Sequence, residues 1–147
     1  MLSLLLLTSC SPFEGTWALV FDLLPEVTGD CAEPESVEEA SSNQATLMDI
    51  YHLENGHWLA TIDRPMTGTA NDTEIELAWV ESLDYDGYTA THSEVLAGTW
   101  ERPTLSGTYT VESWEETDGG SDYSCTTAWD YAGSRVSSSR SDYMEAQ

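Results

Sequence analysis

Along most of this chain apolar and polar residues alternate with a period of two, and turn residues interrupt the alternation at short intervals. That pattern suits strands with one buried and one wetted face, because successive side chains on a strand point to opposite sides. Leu47, Asp49, Tyr51 and Leu53 alternate with Met48, Ile50, His52 and Glu54. Asn55-Gly56 follows, the strongest short hairpin signal, since a type I′ turn needs positive φ at both central residues. Such a turn would set Glu54 opposite His57 and His52 opposite Leu59. Trp58, Ala60 and Ile62 then share one face of the return strand, until Arg64-Pro65 breaks it.

The next hairpin is the clearest. Ile75, Leu77 and Trp79 alternate with Glu74, Glu76 and Ala78, Asp84-Tyr85-Asp86-Gly87 makes the turn, and Tyr88 to Leu96 returns. Another reversal falls near Arg102-Pro103, and Tyr109 and Val111 then share a face opposite Thr110, Glu112 and Trp114. Asp118-Gly119-Gly120 turns the chain into a last strand, Tyr123 to Gly133. No segment carries a sustained helical period. The class is all-β: an antiparallel up-and-down meander of seven to eight strands. A meander loses its two edges by closing into a small barrel, with a β-sandwich as the alternative.

The chain opens differently. Leu2 to Leu7 is almost all leucine, and Leu7-Thr8-Ser9-Cys10 ends the run. The run is too short for a membrane-spanning helix, which needs roughly 20 apolar residues, but it suits the apolar region of a signal peptide. Leu7-Thr8-Ser9-Cys10 resembles the lipobox of bacterial lipoproteins. In that family the cysteine is lipidated and the peptide before it is removed. The resemblance implies a signal peptide at 1–9, lipidation at Cys10 and a tether at 10–12. No Lys or Arg precedes the leucines, a departure that a true start upstream of Met1 would explain. Ser11 after the lipid cysteine, rather than the aspartate linked to inner-membrane retention, implies the outer membrane of a bacterial envelope.

With Cys10 lipidated, Cys31 and Cys125 remain, and in an oxidising compartment they are expected to form a disulfide. Two free thiols are the alternative. The formal net charge is −23, with four basic residues, all arginine. Such a surface repels nucleic acid and anionic headgroups, which excludes polyanions as partners. Binding of Ca²⁺ or cationic partners competes here with plain solvation of an acidic surface. Residues 28–45 read as a long acidic loop, 13–135 as the single β domain, and 136–147 as a polar tail.

Gly15-Thr16-Trp17, with Arg135 just after the last strand, resembles the lipocalin superfamily. There a Gly-x-Trp tryptophan plugs the closed end of the barrel under a basic residue. The resemblance implies that Trp17 and Arg135 close the barrel and that its interior takes a small ligand. The match departs from the family in its shortness and in lacking a C-terminal helix. It lies nearer the small lipocalin-like domains of bacterial lipoproteins.

Motifs of catalysis are missing: no Gly-x-Ser-x-Gly elbow, no His-Glu-x-x-His, no phosphate-binding glycine loop. No catalytic residue is assigned. His52 and His57 do not face each other across the expected turn, so they form no metal pair. Asp84-x-Asp86-Gly87 offers two carboxylates for Ca²⁺, yet the twelfth position that an EF-hand loop fills with Glu is Val95. Ordinary turn chemistry is the competing reading of both aspartates, with Ca²⁺ kept as a candidate cofactor there. Trp58 and Trp114, with mixed neighbours, are the candidates for a ligand-binding rim. The chain is therefore expected to be a non-enzymatic, membrane-anchored lipoprotein binding a small apolar ligand or another envelope component. A structural lipoprotein with a filled barrel and an envelope glycan hydrolase are the alternatives.

Overall fold

The computed structural model describes residues 11–31, 45–53, 55–62, 64–117 and 122–138. Met1 to Cys10, most of the acidic loop and the end of the tail lie outside these residues, and with them the lipobox and Cys10. The regular structure is all β-strand: β1 (Gly15–Phe21), β2 (Glu26–Gly29), β3 (Ala45–His52), β4 (Trp58–Thr61), β5 (Pro65–Ala70), β6 (Glu74–Tyr85), β7 (Tyr88–Glu101), β8 (Thr104–Thr117) and β9 (Tyr123–Ser137).

Strands β3 to β9 pair antiparallel in sequence order, and β1 pairs with β3 on one side and β9 on the other. That double pairing closes the sheet. β2 continues along β9 where β1 stops: β1 ends at Phe21 opposite Tyr131, and β2 runs from Glu26 opposite Ala128 to Gly29 opposite Cys125. β1 and β2 thus share one place in the ring. The result is a closed, eight-stranded, lipocalin-like up-and-down barrel, not a sandwich.

Two strands escape a reading of the sequence. β5 carries Met66, Gly68 and Ala70 on its inner face, too little apolar bulk to announce a strand. Its proline is the first strand residue, where a missing amide is tolerated. β2 is four residues long and takes Thr28 and Gly29 out of the expected loop. At the other end Val136 and Ser137 belong to β9 and not to the tail, because Ser137 pairs with Thr16.

The Asn55-Gly56 hairpin also corrects its expected register. Leu53 N–H donates to His57 at 2.7 Å, so three residues rather than two lie in the loop. Gly56 has positive φ there, at 85°. A three-residue loop of this kind ends in a left-handed residue. His52 consequently pairs with Trp58 and Ile50 with Ala60. A shift of one residue exchanges the faces of a strand, so Trp58 and Ala60 join Met48 and Ile50 inside.

Side chains fill the lower half of the barrel. Trp17, Leu19, Met48, Met66, Leu77 and Leu96 have no exposed surface. Gly15 has φ 130°, and a Cβ there would run into the Ser137 carbonyl, so the first residue of Gly-x-Trp must be glycine. The walls differ in height. β5 pairs with β6 only as far as Ala78, whereas β6 to β9 run on by several residues. The end bearing the β6–β7 turn therefore stands open on one side.

Candidate functional site

At the closed end, β1 and β9 set Trp17 opposite Arg135. The guanidinium lies 5.1 Å from the centroid of the indole. Trp17 donates its Nε1–H to the Phe13 carbonyl at 2.7 Å, which satisfies its polar atom inside the core. Phe13 in turn meets Trp58 edge-on at 6.2 Å. This end is a packed plug.

The open end is built differently. The two-residue turn at Asp86-Gly87 pairs Tyr85 with Tyr88, which puts Trp79 opposite Glu94 and Glu81 opposite His92. By strand parity these four share the inner face with Leu77 and Leu96. Glu94 is a carboxylate only 8% exposed, an unusual occupant of an inner face. Three neighbours hold it. Tyr109 donates its hydroxyl to Glu94 Oε2 at 2.6 Å, His92 Nε2 lies 3.4 Å from Oε1, and Arg64 Nε lies 3.9 Å from the same oxygen. His92 is itself oriented by Ser113, 2.9 Å from Nδ1. Arg64 lays its guanidinium 4.0 Å above the Trp79 ring and reaches Glu81 at 3.9 Å. Tyr109 also packs against Trp129 and Phe21. The arrangement is a cup with an aromatic floor, a buried carboxylate and a cation.

The residues expected to carry function are placed as follows. Trp58 is 7% exposed and lies in the core, against Phe13 and His52, because the corrected register turns it inward. Trp114 is 39% exposed on the outer face, opposite Thr91, while its neighbour Ser113 faces the interior. Neither tryptophan lines the cup. Asp84 lies near the end of β6 and Asp86 in the β6–β7 turn, where a shallow recess of about 220 Å³ is lined by Asp84, Tyr85, Tyr88 and Glu116 among others. Among the described residues, no group of three or more His, Cys, Asp or Glu stands close enough together to hold a metal ion. Cys31, just past β2, is bonded to Cys125 on β9, with Cα atoms 4.9 Å apart.

Arg64, Trp79, His92, Glu94 and Tyr109 were not singled out as a site from the sequence. The signal was present: counting back from a two-residue Asp86-Gly87 turn puts Glu94 across from Trp79 and on the same face as Leu96. A charge in that position asks for partners. Arg64 carries no such signal, since its place over Trp79 follows from the β5–β6 pairing, and β5 is the strand that the sequence hides. Compared with known proteins, the chain matches no family model, no curated protein and no solved structure.

Proposed function

We propose that this protein is a lipid-tethered lipoprotein of the bacterial envelope, attached through Cys10 at the outer membrane. Its barrel is non-enzymatic and binds a small ligand, or part of an envelope component, at the open end. The observation behind this reading is the cup around Glu94. A carboxylate held by Tyr109, His92 and Arg64, opposite Trp79 and with Trp129 packed on Tyr109, joins aromatic surface to a few convergent polar groups, as ligand sites do. Side chains fill the lower barrel, so a ligand would bind at the upper end, where Arg64 and Glu81 are exposed to solvent. Hydrolysis of glycans is the weaker reading, since Glu81 and Glu94 both pair with the Arg64 guanidinium and nothing distinguishes one as acid and the other as nucleophile or base.

A filled barrel without a ligand is the second reading, favoured by the complete burial of the lower core. Titration with the neutral apolar fluorophore N-phenyl-1-naphthylamine separates the two. Binding at one site, lost in Trp79→Ala with melting unchanged, supports the ligand reading. No binding of the fluorophore, of phospholipid or of peptidoglycan fragments supports the filled barrel. Anchoring has its own test: Cys10→Ala should release the protein into the soluble fraction, and palmitate label equal in mutant and wild type would refute the tether.

A further inference from the structure

We propose that the open-end cup is a site for an organic cation, an amine or guanidinium on an apolar body, and that the Arg64 side chain is its resident occupant. This rests on the reading of the cup as a ligand site and names the chemistry of the ligand.

The Arg64 guanidinium sits 4.0 Å above the Trp79 ring with Glu94 and Glu81 at its edge. An aromatic face attracts a cation through its quadrupole, and flanking carboxylates add to that attraction. The chain thus already uses this place to hold a positive charge. Arg64 fills it incompletely. Both ion pairs are 3.9 Å long, whereas a charge-assisted hydrogen bond closes to about 2.7–2.9 Å. The side chain of Arg64 is 43% exposed and that of Glu81 58%, so solvent reaches the cage.

Glu94, by contrast, is oriented in advance. Tyr109 holds Oε2, and His92, itself set by Ser113, stands beside Oε1. What limits Arg64 is its tether: the next residue, Pro65, is locked into β5 opposite Thr61. A free cation carries no such restraint and can settle closer to Glu94. Its apolar body would lie over Tyr109 and Trp129, whose rings are 6.0 Å apart. The net charge of −23 raises the local concentration of cations and lowers that of anions.

The test uses the full chain, ¹⁵N-labelled, titrated with benzyltrimethylammonium and agmatine as cations, and with benzyl alcohol and benzoate as neutral and anionic controls. Two resonances report. One is the Trp79 indole N–H, assigned with Trp79→Phe; the other is the Arg64 Nε–H, shifted by the ring current of Trp79. Both cations should move the Trp79 signal and return the Arg64 signal toward its position in free arginine. Arg64→Gln should tighten cation binding by about tenfold and Glu94→Gln should weaken it by about tenfold, as expected for one close charge in a partly buried site. If Glu94→Gln lowers the melting temperature, Glu81→Gln on the exposed rim replaces it, with a loss of about threefold expected. An Arg64 signal that stays in place while the controls move Trp79 as much as the cations do would overturn the cation assignment and leave the cup a ligand site. Failure of all four probes to move Trp79, in wild type and in Arg64→Gln, overturns the proposal, and the fluorophore titration then decides the broader reading independently.

Discussion

Trp17 has no exposed surface, while Arg135, above it, stands in solvent, so the two contribute unequally to one contact. Trp17→Ala should cost about 3–5 kcal/mol, the range for deleting a buried aromatic. Arg135→Ala should cost about 0.5–1 kcal/mol, as for an exposed cation over a ring. A double-mutant cycle by chemical denaturation should show non-additivity, and a coupling energy of zero would mean that the pair does not hold the seam. Tyr131 offers a second residue-scale test. Its hydroxyl lies where Gly98 leaves room and donates to the Ala97 carbonyl at 3.2 Å, and burial pushes its phenol above the ordinary value of 10.0. The folded state thus keeps a proton that the unfolded state loses above pH 10, so this contribution to stability is complete below that value and declines as pH rises further. The decline is about 1.4 kcal/mol per pH unit for one proton. Wild type should exceed Tyr131→Phe by about 1 kcal/mol at neutral pH through the hydrogen bond. The gap should close between pH 10 and 11, and a gap independent of pH would refute the shift.

Among the elements, β2 has the weakest hold. It is four residues long, mostly exposed, and among the described residues it pairs only with β9. The Cys31–Cys125 bond fastens it there across a sequence separation of 94. On the chain-entropy account a loop of that length stabilises by about 4–5 kcal/mol. Reduction should therefore lower the melting temperature. It should also release β2 selectively, with amide protection lost at 26–29 and at those amides of 125–128 that face β2, but retained along β1. Uniform loss along both strands would show that β1 and β2 unfold as one unit. The long strands β6 to β9 were legible because alternation runs through part of each and an obvious turn joins it to the next. β5 was not, since Gly68 and Ala70 hide its inner face. The β3–β4 register was not either, since Asn55-Gly56 suits both a two- and a three-residue loop. Burial of Trp58 decides between them.

At the scale of the whole molecule, a net charge of −23 on 147 residues opposes compaction through self-repulsion. Screening lengths shorten from about 30 Å at 0.01 M salt to about 8 Å at 0.15 M. The melting temperature should rise over that range, and a flat profile would indicate that the carboxylates already sit too far apart to matter. The same charge favours cations over anions at the open cup, linking composition to the ligand class proposed above.

What the sequence by itself determined is local: the alternation that makes strands, the turn residues that join them, the glycine and tryptophan at the start of β1, and two cysteines for one bond. These follow from side-chain period and backbone conformation, which act over a few residues. The tertiary structure alone decided which residues meet across the ring. It set β2 behind β1 on β9, carried Trp58 into the core and Trp114 onto the outer wall, and laid Arg64 over Trp79 beside Glu94. Those contacts depend on register and on closure of the barrel. A shift of one residue in a single hairpin exchanges inside for outside, and no local pattern specifies where distant strands come together.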